Sequence, residues 1–298
     1  MRIHIPVLQK EVLEYLNPKP NENFIDCTIG GGGHTLAILD KNGPRGKILG
    51  IEIDPGLYER LQIDGIQRLI LVNDSYTNLE KIVKNCKFSP VSGTLFDLGL
   101  SSWHLEESCR GFTFLKDEPL IMRYDGKENQ QTARDILNNW SETEIERILR
   151  EYGEERFAKR IARGIVDARK GESIETTFQL VEVIKKSLPS GYSHTRRNRQ
   201  KSYFAVRTFQ ALRIAVNDEL DNLTKTLPQA LKILKPGGRL VVISFHSLED
   251  RIVKNFLKDK AEEELLRTLT KKPIKPWEEE IDSNPRARSA KLRAAIKQ

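Results

Sequence analysis

Apolar and polar positions follow two different periods along this chain, and the first hundred residues switch between them repeatedly. Leu8, Val12, Leu13 and Leu16 fall on one helical face. Asn17-Pro18-Lys19-Pro20 stops that helix, because proline lacks the N–H that would continue it. Apolar runs suited to strands end at Phe24-Ile25 and extend over Lys47 to Ile53, Leu69 to Val72 and Thr94 to Leu98. Between them lie helical patterns. One is entered through Leu36, Ile38 and Leu39, one starts at Pro55 with Asp54 as its cap, and one carries Leu79, Ile82, Val83 and Cys86. Strands alternating with helices predict a parallel sheet covered on both faces.

The pattern changes after Leu98. From about Gln130 to Leu188 only helical spacing is found. Ser141 and Glu144 form a capping box that opens a helix with Ile145, Ile148, Leu149 and Tyr152 on one face. A second helix is expected from Glu154 to Ala168, with Phe157, Ile161 and Ile165 inward and Arg156, Lys159, Arg160 and Arg163 as a basic stripe. A third carries Phe178, Val181 and Ile184 and ends at Pro189-Ser190-Gly191. The sheet then resumes: Leu234 to Gly238 reads as a turn feeding a β-branched strand from Arg239 to Ser244, with Ile274 and Leu292 to Ile296 as late strands. The expected architecture is α/β, one doubly wound, mostly parallel sheet (residues 1–108 and 207–298) interrupted by an all-helical insertion (109–206).

Asp26 to Thr35 is the stretch around which the rest is organised. It reads strand, Gly30-Gly31-Gly32-Gly33 turn, helix, the geometry in which a bare backbone lies against a ligand below a helix N-terminus. Glu52 ends the second strand 19 residues after Gly33, near the roughly 20-residue offset at which an acid meets a ribose hydroxyl. Ligands of such sheets sit beyond the carboxyl ends of the strands, where Gly32, Glu52, Tyr76 and Asp97 are expected to converge.

Composition narrows the partners. Three cysteines without a CxxC pair indicate neither a disulfide framework nor a zinc site, and no apolar run approaches the ~20 residues of a membrane span. Met1 to Lys10 lacks a signal pattern, so a soluble, cytoplasmic protein is expected. The net charge of +7 is placed unevenly: residues 156–206 hold 12 Lys and Arg against 4 Asp and Glu, a net +8, whereas 109–155 hold 7 against 11, a net −4. Arg196, Arg197, Arg199 and Lys201 precede Tyr203 and Phe204, and basic groups beside aromatics suit phosphates and stacked bases. A polyanion partner is expected; a solvated helix face is the bland alternative.

Four separated segments carry a family resemblance. They are Gly30-Gly31-Gly32-Gly33-His34; Asp97-Leu98-Gly99-Leu100-Ser101-Ser102 with Arg110-Gly111-Phe112; Tyr152 to Ala162; and Ser244 to Arg251. With Arg207 to Arg213 and Asn284 to Ser289, they resemble the bacterial methyltransferases that act on N4 of a cytidine in the decoding region of 16S ribosomal RNA. The resemblance implies a Rossmann-like class I fold, S-adenosylmethionine as cofactor, no metal, no membrane, and 16S rRNA within the small subunit as partner. It implies cofactor contacts at Gly32, Gly33, His34, Glu52, Tyr76, Asp97 and His104. Substrate contacts are expected at Arg156, Arg160, Arg196, Arg197, Arg199, Lys201 and His246. The chain departs from the family pattern at Trp103 (usually proline), His104 (glutamine), Ile121 (aspartate) and Tyr203-Phe204-Ala205-Val206 (histidine-proline-alanine-threonine).

Asp97 is the candidate catalytic group, since a hydrogen-bond acceptor on the amine protons would localise the nucleophile's lone pair; its alternative is a loop-capping carboxylate. His34 is either a cofactor contact or a polar helix cap. His246 either touches substrate or ties together the turn from Ser244 to Asp250. Trp103 and Phe245 are candidates for a wall against an extruded base, or core aromatics. A nicotinamide-dependent oxidoreductase would use the same glycine turn and acid, but Thr35 stands where GxGxxG needs its third glycine. A non-catalytic RNA-binding scaffold is the third class.

Overall fold

Central strands of this chain are apolar on both faces because helices cover both. The computed structural model describes residues 6–62, 66–126, 130–189, 192 and 203–298. In chain order the elements begin α1 (Gln9–Leu16), β1 (Phe24–Asp26), α2 (Gly33–Lys41), β2 (Ile48–Glu52), α3 (Pro55–Gln62), β3 (Leu69–Asn73), α4 (Leu79–Asn85) and β4 (Val91–Asp97). Helices α5 (Ser102–Glu106), α6 (Ala133–Asn139), α7 (Glu142–Glu151), α8 (Ala158–Arg169), α9 (Thr177–Ser187) and α10 (Val206–Asn217) follow. The chain closes with α11 (Glu219–Ile233), β5 (Leu234–Ser244), α12 (Ser247–Glu262), β6 (Leu266–Thr268), α13 (Glu278–Ser283) and β7 (Lys291–Lys297). Among the described residues no helix is long and apolar enough to cross a membrane.

Two compact units result, Met1–Ser101 with Leu220–Gln298, and Ser102–Glu219. The first holds a seven-stranded sheet ordered β3-β2-β1-β4-β5-β7-β6. Strands β1 to β5 run parallel, and β7 is antiparallel to both β5 and β6. Successive residues point to opposite faces. Phe24, Ile48, Leu95 and Val241 accordingly pack with Val12 and Leu16 of α1 and Ile38 and Leu39 of α2. Ile25, Leu49, Phe96 and Val242 pack with Leu79 and Ile82 of α4, Leu223 and Leu227 of α11, and Val253 and Leu257 of α12.

Two local expectations need correction, and one strand was not anticipated. The strand expected from Arg239 begins at Leu234, and the residues read as a turn form an irregularity inside β5: the register jumps between Val91↔Leu234 and Gly93↔Arg239, with Gly237 at φ 76°. Ile274 contributes one isolated bridge to Leu292, not a strand. The three residues of β6, which pair with β7, are too few to show an alternating pattern.

In the second unit, α7 packs on α8, α8 on α9, and α10 on α7 and α6. Capping boxes at Thr132/Asp135, Ser141/Glu144 and Thr176/Gln179 open α6, α7 and α9. Helix α8 starts at Ala158, four residues later than expected, because Glu154 adopts a left-handed φ of 47° and the Glu155 carboxylate accepts from Phe157 N at 2.8 Å. The unit is longer at both ends than the expected 109–206. Gln210 of α10 donates to Tyr152 O (2.8 Å) and Asn217 to Met122 O (2.7 Å), which ties α10 to the insertion. At the other end the His104 ring of α5 meets Phe112 and Tyr124 edge-on at 5.1 and 5.0 Å.

Candidate cofactor site and active centre

The site in the first unit starts from three strand ends. Asp26, at the end of β1, is 1% exposed and accepts from Thr28 N (3.3 Å) and from the Thr35 hydroxyl (2.8 Å). It therefore grips the glycine turn at both its entry and its exit. Burial pushes the Asp26 carboxyl up, against the opposing pull of the Thr35 hydroxyl and of His34. Within the turn Gly30 (φ 52°) and Gly32 (φ 78°) take left-handed conformations, and a Cβ at Gly31 would meet nothing within 4 Å. Among the described residues no side chain caps α2, so the N–H groups of its first turn are left for a ligand. Cys27 is buried, and burial pushes its thiol well up, which removes it as a nucleophile.

Glu52 ends β2 and is 6% exposed. Its Oε2 accepts from Gly30 N (3.1 Å) and its Oε1 from Asp54 N (2.9 Å), so each oxygen keeps one further lone pair. Burial pushes its pKa up to about 7; the backbone N–H of Asp54 and of Gly30 oppose that rise, and the Asp54 charge adds to it. Asp54 caps α3 through Gly56 N (2.9 Å) and Leu57 N (3.4 Å), as its position before Pro55 predicts. Beyond β3, Tyr76 stands edge-on to Phe96 at 5.9 Å.

Asp97 ends β4. Its backbone N donates to the Thr28 hydroxyl (2.6 Å), its Oδ1 accepts from Gly99 N (3.2 Å), and its Oδ2 lies 3.4 Å from His34 Nε2. The loop-capping role is thus present, yet the side chain remains 22% exposed. Glu52 touching Gly30 and Asp97 facing His34 bring the glycine turn, β2 and β4 into one locus. His246 caps α12: its Nδ1 accepts from Glu249 N (3.4 Å), while the Glu249 carboxylate accepts from the backbone N of Phe245 (2.8 Å) and of His246 (3.3 Å). That is the turn-holding alternative, made of local bonds. Phe245 packs against the core and lies over Gly99, where a Cβ would come within 2.8 Å of its ring.

The remaining expected residues belong to the second unit. His104 is buried in its aromatic cluster, and Trp103 is partly buried. Arg156 lies over the Phe157 ring at 5.6 Å, and Arg160 Nε donates to Ser187 O (3.0 Å); both are exposed. Arg196, Arg197, Arg199 and Lys201 lie outside the described residues. Sequence reasoning left Asp26 and Thr35 unassigned. Their signal was an acid closing a strand, with a hydroxyl in the first turn of the following helix.

A parallel Rossmann-like sheet with one antiparallel strand near its edge, a glycine turn after β1 and an acid closing β2 define a class I methyltransferase fold. The chain belongs to the MraW methylase family, which it matches over residues 1–298. It is 48% identical over 300 residues to the ribosomal RNA small subunit methyltransferase H of Thermotoga neapolitana, across 98% of this chain and 95% of that one. The protein of the same name from Thermosipho melanesiensis is 47% identical (98% and 97% covered), and that from Halothermothrix orenii 44% identical (98% and 97%).

Proposed function

We propose that this enzyme transfers a methyl group from S-adenosylmethionine to the N4 amine of a cytidine in the decoding region of 16S rRNA, acting in the cytoplasm on the small ribosomal subunit. The observation that carries it is whole-chain similarity to proteins named for small-subunit RNA methylation, on a fold whose strand ends are equipped for a nucleoside. The residues present fit such a cofactor. Glu52 keeps acceptor capacity for ribose hydroxyls, Gly31 leaves open space, and Tyr76 offers a ring beside the strand ends. When bound, the cofactor supplies an electrophilic methyl on a sulfonium.

The chain's part is to hold the amine in line and to receive its proton. The amine lone pair is delocalised into the base, so Asp97 accepts a hydrogen bond from an amine proton and draws the lone pair back onto nitrogen. With the methyl supplied by a bound cofactor, the Asp97 carboxylate would receive the proton that the amine nitrogen has to lose. Mass spectrometry of 16S rRNA from a strain lacking the gene tests this reading. One cytidine should lose a base methyl, and the wild-type gene should restore it; persistence of every cytidine modification refutes the assignment.

RNA docking is assigned to the helical unit. Lys159, Arg160 and Arg163 are exposed along α8 and Arg156 just before it, and the Phe157 ring meets Tyr192 edge-on at 4.8 Å, an aromatic surface flanked by cations. Phosphate contacts release counterions, so affinity should fall with salt at a log–log slope of about −0.7 to −0.9 per contact. Neutralising Arg196, Arg197, Arg199 and Lys201 together should make that slope shallower by about 2–4 units, with cofactor affinity unchanged. Titration at several salt concentrations beside a melting curve checks it, and an unchanged slope removes these four from the docking surface.

A further inference from the structure

His34 is the group in the first unit whose environment is least explained by cofactor contact alone. Its side chain is 7% exposed, and neither ring nitrogen has a hydrogen-bond partner among the described residues. A buried polar atom left unpaired destabilises the fold, so its retention needs a compensating use. Nε2 stands 3.4 Å from Asp97 Oδ2, about 0.6 Å beyond a charge-assisted hydrogen bond. Asp26, on the neighbouring strand β1, is a second carboxylate close enough to interact electrostatically with both the imidazole and Asp97. The far oxygen of Asp97 is already held by Gly99 N, and its backbone by the Thr28 hydroxyl.

We infer that His34 is a positioning residue for Asp97. Its Nε2–H donates to Oδ2, and together with the Gly99 N–H on Oδ1 it fixes the plane of the carboxylate that meets the substrate amine. The inference rests on the methyl-transfer reading and assigns His34 a task in the reaction step, separate from any backbone contact that the start of α2 makes to the cofactor. One donor on each oxygen leaves both with a free lone pair and removes rotation about the Cβ–Cγ bond.

The test compares His34→Gln, which retains an N–H donor, with His34→Leu, using full-length protein, labelled S-adenosylmethionine and small subunits from a strain lacking the gene. His34→Leu should lower kcat at saturating cofactor by about 10²-fold, with cofactor Kd within about threefold of wild type. The acid limb of its pH–rate profile should move to higher pH, because a carboxylate that has lost a donor takes up a proton more readily. His34→Gln should recover most of the rate and the wild-type profile. Full kcat with weakened Kd in His34→Leu would reduce His34 to a cofactor contact. Equal losses in both variants with an unmoved profile would make its role structural; either result overturns the inference. A measurement independent of turnover and of the variants' folding is ¹⁵N–¹H NMR of the imidazoles in the wild-type protein. A proton on His34 Nε2 whose resonance responds to Asp97→Asn is expected, and a bare Nε2 refutes the pairing. If wild-type protein methylates no cytidine, the parent reading fails, while the NMR result still decides the dyad.

Discussion

Asp97→Asn is expected to lower the single-turnover rate of methyl transfer by about 10²–10⁴-fold while cofactor affinity falls less than tenfold. Asparagine keeps an oxygen for the Gly99 N–H and leaves the backbone bond to Thr28 intact, so the end of β4 should hold its shape. What is lost is the charge. A carboxylate can draw an amine proton and then receive it, whereas a neutral amide can accept only a hydrogen bond and places an NH₂ group where one acceptor stood. Rapid-quench methylation at saturating cofactor, beside calorimetric cofactor titration, separates the two roles this residue could have. Rate and affinity falling in proportion would show that Asp97 serves the cofactor and not the chemistry.

Glu52 should produce the second large effect, in binding and in stability at once. Glu52→Ala is expected to weaken S-adenosylmethionine by about 1.5–3 kcal/mol, the range for losing a hydrogen bond to a charged group. Unchanged affinity in a folded variant would remove Glu52 from the ribose site. The same burial that prepares this acid makes it costly when ionised. Its pKa of about 7 in the folded protein, raised from 4.5, means that the folded state holds the proton more tightly than the unfolded chain. The Glu52 contribution is therefore fully present below pH 4.5 and lost as pH rises through about 7, an upper bound of about 3 kcal/mol between those limits. Asp26, also raised by burial, contributes with the same sign. Asp250 acts oppositely: the Arg293 and Lys291 charges hold its carboxyl below the usual range despite burial, so its contribution is lost only as pH falls. Urea denaturation of cofactor-free protein at pH 5.5 and pH 8 should show wild type losing stability with rising pH, and Glu52→Gln losing less. Equal slopes in the two proteins would refute the linkage.

Local chemistry made several elements readable in advance. Ser141 and Glu144 cap α7 where the pattern places them, and Asp54-Pro55 opens α3. The apolar runs of β2 and β4 mark central strands because parallel strands covered on both faces admit few polar residues. The start of α8 was misread because helical spacing continues backward through Glu154, while a left-handed residue there ends the preceding segment. Strand β6 escaped notice because its stability comes from pairing with β7, not from any pattern of its own.

At the candidate site the division is sharper. Sequence by itself determined the glycine turn and the acid 19 residues beyond it, because both belong to one βαβ unit whose geometry follows from local spacing. It likewise determined that positive charge is concentrated in the second part of the helical insertion, residues 156–206. Only the tertiary structure decided that β4 lies against β1, with Asp26 opposite Leu95. That pairing brings His34 and Asp97, 63 positions apart, to 3.4 Å, while packing around the end of β2 buries Glu52 deeply enough to raise its pKa. The physical reason is that strand order, like burial, is set by which faces must be removed from water together. That is a property of the whole core, and no local window of the chain contains it.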